Sequence, residues 1–139
     1  MSLREYLLEK KYIYLKSINY INSSESPGTQ PELNCSDSIS VRKEHMSIFV
    51  EVKRSVSFIP TCYFTADISY EVELQINPEK SSDFEMQGID FESEIKGNVS
   101  EYVPDEMDRL SLLLAQITDS FEGRPLITVP QFHFDKSEE

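Results

Sequence analysis

Two consecutive segments of this chain, Met46–Phe58 and Cys62–Ile76, alternate apolar and polar residues almost without interruption. In the second segment every other position from Phe64 to Ile76 is apolar, and the positions between them are Thr, Asp, Ser, Glu or Gln. Because successive side chains of a β-strand point to opposite faces, this pattern predicts strands with one apolar and one polar face. The Ile59–Thr61 stretch suits a tight reversal, so we expect a long antiparallel hairpin.

Two earlier segments also read as strands. Tyr12–Ile21 is rich in aromatic and β-branched residues, and both alternate sets of its positions are largely apolar, which predicts a strand covered on both faces. Leu33–Val41 alternates more weakly. With the hairpin, these segments predict four strands in meander order. The residues before them, Leu3–Lys11, are expected to start as a short helix.

A long helix is predicted near the end of the chain. Pro104 suits a first helical turn, and the acidic residues that follow it favour the positive end of the helix dipole. Gly123 and Pro125 are typical helix terminators. The apolar residues between recur at helical spacing and form one stripe: Met107, Leu110, Leu113, Leu114, Ile117 and Phe121. We expect Pro78–Asp83 to be a polar loop and Phe84–Ser100 to be loop with a short helical piece near Asp90–Lys96.

The predicted class is therefore α+β, a four-stranded antiparallel meander sheet with one long helix packed on one face. The length fits a single domain over residues 1–139, with an N-terminal arm at 1–11 and a disordered acidic tail at 135–139. The helix is ~10 Å across and the sheet ~19 Å wide, so one helix shields about half of one face. Self-association is the simplest further cover. We expect its interface to include Tyr12 and Tyr14 of the first strand and Leu112, which lies off the helical stripe.

The composition excludes several classes of protein. Thirteen basic residues against 25 acidic ones give a net charge of −12, which disfavours nucleic acid and anionic lipid as partners. No stretch resembles a signal peptide or approaches the ~18 apolar residues that cross a bilayer, so we expect a cytoplasmic protein without membrane insertion. In that compartment Cys35 and Cys62 should be reduced core residues.

Catalytic groups do not converge in the sequence. The two histidines, His45 and His133, have no Cys or acidic partner at ligand spacing, and no nucleophile elbow, Walker loop or metalloprotease motif occurs. The acidic row Asp67, Glu71 and Glu73 is more typical of a solvated strand face than of a cation site. We therefore predict that the protein is not an enzyme and uses no cofactor or metal.

Read in order, the segments resemble the SecB family of export chaperones. YIYLKSINYINSSESPG resembles the family's opening strand and its Pro-containing loop. EYVPDEMDRLSLLLAQITDSFEGRPLITVPQFHF is similar to its Tyr-x-Pro turn, main helix, Gly-x-Pro exit and apolar ending. The resemblance covers roughly Tyr12–Phe134. The chain departs from the family in lacking the Leu-Phe-Pro-Tyr helix entry and the C-terminal helix.

The resemblance implies a homotetramer, a dimer of dimers, that holds unfolded polypeptides or preproteins in apolar grooves without ATP. It implies that acidic residues of the exposed sheet face dock the motor SecA, with Asp67 and Glu71 as the candidates here, although Ser17 and Ile21 stand where the family has acids. Relatives of the family serve as chaperones of antitoxins. The groups expected to bind a client are apolar residues outside the predicted core: Phe49, Tyr63, Phe84, Met86, Leu126 and Phe132.

Three functions remain open at this point. The first is a SecB-type holdase in protein export. The second is a dedicated adaptor for a single partner, such as an antitoxin, without SecA docking. The third is a small enzyme on an α+β scaffold, which would require a deep pocket lined by Asp67, Glu71 and His45.

Overall fold

A computed structural model describes residues 3–23, 28–118 and 127–128, with the backbone alone at positions 10 and 85–87. Four strands form the first half of the chain: β1 (Leu7–Asn22), β2 (Glu32–Glu44), β3 (Ser47–Ile59) and β4 (Phe64–Ile76). In the described part of the chain four helices follow: α1 (Ser81–Gln87), α2 (Phe91–Gly97), α3 (Val99–Tyr102) and α4 (Pro104–Ile117). Single 3₁₀ turns at Leu3–Tyr6 and Pro78–Lys80 precede β1 and α1.

The α+β class is confirmed, and the described residues form four antiparallel strands whose order differs from the prediction. The sheet runs β1-β4-β3-β2, so only β2, β3 and β4 form a meander, and β1 lies beside β4 at the far edge. The chain therefore crosses one end of the sheet between β1 and β2, which the nine residues of that connection can span at ~3.3 Å each. Alternation in a sequence shows which face a side chain occupies but not which strand is its neighbour, and this is why meander order was predicted.

The register places the alternating apolar residues of the hairpin on one face. Val56 lies opposite Ala66, and Val50 lies opposite Val72, and all four are buried. We call this the helix face, because α4 packs on it over β3 and β4, and we call the other the open face. On β1 the register shifts between Leu15 and Ser17, and again between Leu7 and Lys11.

The main helix is shorter than predicted, whereas the segment before it contains more helix than predicted. In the described part of the chain α4 ends at Ile117, with Met107, Leu110 and Leu114 buried. The expectation of a loop was wrong for residues 78–89, since they contain a 3₁₀ turn and α1. The short helical piece is confirmed as α2, whose first turn is capped by the Asp90 side chain. Only the first four residues of the expected N-terminal helix are helical, because Leu7 already belongs to β1.

An arginine lies in the core between the sheet and α4. The buried Arg54 of β3 donates two hydrogen bonds to Asp37 of β2, at 2.7 and 3.0 Å. Its Nη1 atom also donates to the Ser111 hydroxyl of α4 at 2.6 Å and to the Thr128 hydroxyl at 2.7 Å. This bidentate pair joins two strands, the main helix and the segment after it, with both charges compensated.

Candidate functional site

The edge strand β1 exposes apolar side chains on both of its faces. Besides Leu8 near its start, six of them are between 39% and 57% exposed. On the helix face these are Leu15, Ile18 and Tyr20, which we call the inner row. On the open face they are Tyr12, Tyr14 and Ile21, which we call the outer row. An isolated exposed apolar residue is ordinary, but two adjacent rows on one edge strand are typical of a surface that binds another chain.

The inner row is exposed because α4 covers the middle of the sheet. The helix packs on β4 and β3, and among the described side chains it forms ion pairs with β1 through Lys11, near the start of that strand. From Leu15 onward, the apolar side chains of β1 on the helix face are 39–45% exposed. A helix ~10 Å across cannot reach the fourth strand of a sheet ~19 Å wide.

An aromatic cluster fixes the end of the inner row. Tyr20 stacks on the buried Phe64, with ring centroids 5.2 Å apart. Phe58 meets Phe64 edge-on at 5.3 Å and Tyr63 at 5.1 Å. The Tyr63 carbonyl accepts a hydrogen bond from the Ser23 amide that follows β1. Because Tyr20 and Tyr63 are only partly buried, this cluster continues the inner row with rigid aromatic groups.

The open face carries a polar network centred on Glu71 of β4, which is 2% exposed. Arg42 of β2 donates two hydrogen bonds to its carboxylate, at 2.9 and 3.2 Å. Lys16 of β1 donates a third at 3.1 Å, and the Tyr14 hydroxyl donates a fourth. The Arg42 guanidinium also lies 4.4 Å above the ring of Phe49 on β3, so the network connects all four strands.

These contacts determine the protonation of the network. Hydrogen bonding from Arg42 is the main cause that lowers the pKa of Glu71 to about 2, with Tyr14 and Lys16 adding to it against the effect of burial. The hydrogen bond to Glu71 in turn raises the pKa of Tyr14. The carboxylate is thus fully ionised and neutralised by its own chain near neutral pH, which suits a structural role rather than proton transfer.

The three residues predicted at an oligomer interface are all exposed. Tyr12 and Tyr14 belong to the outer row, and Leu112 is 61% exposed on the outer side of α4. Their participation in an interface stays a prediction.

The residues predicted to bind a client are not gathered in one place. Phe49 is partly buried under Arg42 on the open face, whereas Tyr63 is partly buried in the aromatic cluster. Phe84 is buried against Tyr6, with ring centroids 5.8 Å apart, so its assignment to a client surface was wrong. The Met86 side chain, Leu126 and Phe132 lie outside the described residues.

Of the two acids predicted to dock a partner, the structure favours one. Glu71 is buried and engaged by three side chains of its own sheet, so it offers a partner little to bind. Asp67 is partly exposed and accepts a hydrogen bond from Ser55 at 2.5 Å. A docking role therefore stays a prediction for Asp67 and is withdrawn for Glu71.

The pocket required for an enzyme is not formed by Asp67, Glu71 and His45. His45 precedes Ser47, which pairs with Gln75, whereas Asp67 lies eight residues away along β4. At ~3.4 Å per residue, this separation is ~27 Å. Within residues 3–23, 28–118 and 127–128, no group of three His, Cys, Asp or Glu side chains could hold a metal ion. Both cysteines are free thiols, as expected.

The sequence signalled the inner row without identifying its role. Apolar residues on both faces of the first strand predicted a cover, and the structure leaves Leu15, Ile18 and Tyr20 half-exposed. The position of Arg54 carried no such signal, because a basic residue at an otherwise apolar strand position does not reveal its partners.

Among the described helices, none is long and apolar enough to cross a membrane.

The Glu71 network predicts a specific loss of stability in acid. The pKa of Glu71 is about 2 in the folded protein, below the ~4.3 of an unfolded glutamate. The ionised carboxylate therefore contributes fully to the free energy of unfolding above pH ~4.3, and this contribution decreases as the pH falls toward 2. We expect wild type to lose ~1–3 kcal/mol more than Glu71→Gln between pH 5 and 2, measured by urea unfolding. Glu92→Gln, which alters an exposed pair with Lys96, is the control and should follow wild type. Parallel pH profiles for wild type and Glu71→Gln would contradict this assignment.

Comparisons with known proteins identify a structural relative only. No family model matches the chain, and no curated protein matches its sequence. A solved structure of a SecB-like chaperone from Mycobacterium tuberculosis, in complex with a ChAD peptide from an antitoxin, matches with a TM-score of 0.57. The match covers 91% of each chain at 11% sequence identity. The chain therefore has a SecB-like fold.

Proposed function

We propose that this protein is a chaperone that binds an extended segment of one dedicated polypeptide partner, as an antitoxin chaperone does, without nucleotide or cofactor. The inner row of β1 is the observation that carries polypeptide binding in this proposal, since Leu15, Ile18 and Tyr20 are half-exposed. The structural relative supports it, because that SecB-like chaperone was solved with an antitoxin peptide. We place this activity in the cytoplasm.

Binding would be driven by burial of apolar surface. Contact over ~400 Å² contributes ~10 kcal/mol at ~25 cal/mol per Å², before the cost of ordering the partner. The aromatic cluster at Tyr20 and Tyr63 is held rigid by stacking, so little of that energy is spent on ordering the chaperone itself.

We also propose that two copies associate through their β1 edges. An exposed edge strand readily pairs with a second strand, and a two-fold axis would make β1 its own partner. Such pairing would place the inner rows of two copies side by side and form one wider apolar groove. Leu112, exposed on the outer side of α4, is available for a second contact that would make a dimer of dimers.

A general holdase acting in protein export is the second candidate. The inner row favours it in one respect, because its exposed atoms are mostly hydrocarbon and aromatic and would not select one sequence. In that case SecA would dock at the open face, where Asp67 remains the only one of the two predicted acids that is accessible.

One experiment separates the candidates. The full-length protein is mixed in stoichiometric amounts with a panel of chemically unfolded proteins, and aggregation is followed by light scattering. In parallel it is applied to an array of short overlapping peptides. A dedicated chaperone should bind a narrow set of peptides tightly and leave the aggregation of the panel unchanged. A holdase should suppress aggregation broadly. Failure in both assays would contradict the proposed function.

A further inference from the structure

Glu106, in the first turn of α4, has a buried carboxylate without a hydrogen bond. The residue is fully buried, and neither carboxylate oxygen has a hydrogen-bond partner within the described structure. Lys11 of β1 supplies the nearest cation, with Nζ 3.2 Å from Glu106 Oε1, at ion-pair distance but without hydrogen-bond geometry. The same ammonium lies 3.8 Å from the exposed Asp105. A buried carboxylate is tolerated only when a counter-charge is held beside it.

Lys11 occupies a place where β1 is weakly held by the sheet. Leu7 pairs with Ile76 and Lys11 pairs with Leu74, so three residues of β1 lie opposite one residue of β4. A cavity of about 370 Å³ adjoins this irregularity, with Leu7, Leu8 and Leu74 among its apolar lining and Lys11 beside them. The backbone ladder is interrupted here and there is room for displacement, so the position of the Lys11 ammonium is not fixed by strand pairing alone.

The start of α4 packs into the core through Val103 and Met107 but has no side-chain cap. Val103 occupies the N-cap position and makes no side-chain capping hydrogen bond. A carboxylate in the first turn interacts favourably with the helix dipole, but here it is removed from water. The ion pair to Lys11 therefore joins a weakly capped helix to a weakly paired strand.

We propose that the Lys11–Glu106 pair is a latch that couples the edge strand β1 to the first turn of α4, so that binding at the β1 edge changes the stability of the helix start. The latch has two states. With the ammonium in place the charge of Glu106 is compensated and the helix start is stabilised, and with the ammonium withdrawn the uncompensated charge destabilises the helix start. The coupling rests on the proposed use of β1 as a binding edge, whereas the latch itself does not.

Amide hydrogen exchange tests the latch within the single chain. Lys11→Met is expected to raise the exchange rates of the Met107–Leu110 amides roughly tenfold relative to those of Val50–Val56 in the core. The double variant Lys11→Met/Glu106→Met removes both charges and should restore most of the protection. Lys96→Met breaks the exposed pair with Glu92 and should change nothing at α4. Unchanged exchange in Lys11→Met, or a double variant as fast as the single one, would overturn the latch.

A second measurement tests the coupling. When wild type is concentrated so that it self-associates, the Met107–Leu110 amides should change their exchange rate together with those of β1. The double variant should still associate, but its α4 amides should not respond. If association occurs and the helix responds equally in both proteins, the coupling is wrong. If no association occurs, the proposed β1 interface is wrong. The exchange rates of Lys11→Met and the double variant in the single chain then test the latch by themselves.

Discussion

Ile18→Asp is expected to abolish polypeptide binding while the protein stays folded. Ile18 is 45% exposed at the centre of the inner row, so an aspartate there keeps its charge hydrated in the free chain. In a complex the same carboxylate would be buried against apolar groups. Losing the apolar contact and burying the charge together should weaken binding at least ~100-fold, measured by fluorescence anisotropy with a bound peptide.

Ile59→Asp is the matched control for this prediction. Ile59 is also a half-exposed isoleucine at a strand, but it ends β3 and lies outside both rows of β1. Its substitution should leave affinity within ~3-fold of wild type, less than ~1 kcal/mol. Equal effects of the two substitutions would show that the inner row has no special part in binding. Light scattering of Ile18→Asp should be recorded in parallel, because a loss of self-association would assign the row to the interface between copies.

Arg54→Met is expected to destabilise the protein by ~3–5 kcal/mol, because it removes the buried guanidinium that donates two hydrogen bonds to the buried carboxylate of Asp37. Both side chains of this pair are fully buried, and the guanidinium also donates hydrogen bonds to the hydroxyls of Ser111 and Thr128. The change in the free energy of unfolding is measured by urea denaturation with fluorescence and circular dichroism as two probes.

The double variant Arg54→Met/Asp37→Leu should recover most of that loss, since it replaces the whole ion pair with apolar groups of similar volume. Arg4→Met provides the control, because its pair with Glu101 is exposed and should contribute less than ~1 kcal/mol. A double variant no more stable than Arg54→Met would mean that the hydroxyl contacts to α4 and Thr128, rather than charge compensation, explain the role of Arg54.

The outcome of the sequence predictions follows from how local each signal is. The alternation was confirmed throughout β3, because a strand's period of two separates a buried face from a more exposed one. In β4 it was interrupted, because Ser69 and Glu71 of the predicted polar face are buried. The segment from Phe84 to Ser100 was harder, because α1 and α2 are only seven residues long, too short for a helical period to stand out. Phe84 was misassigned for a different reason, since its burial involves contact with Tyr6, far away in sequence.

Sequence alone determined the two-faced strands, the position of the main helix and the surplus of apolar groups on the first strand. Each of these is set by the order of residues within one element. Only the tertiary structure decided that β1 lies beside β4, that Glu71 is neutralised by Arg42 from two strands away, and that Lys11 reaches Glu106. The physical reason is that a residue's own neighbours fix the direction of its side chain, whereas its charge partner and its cover depend on how distant segments are packed together.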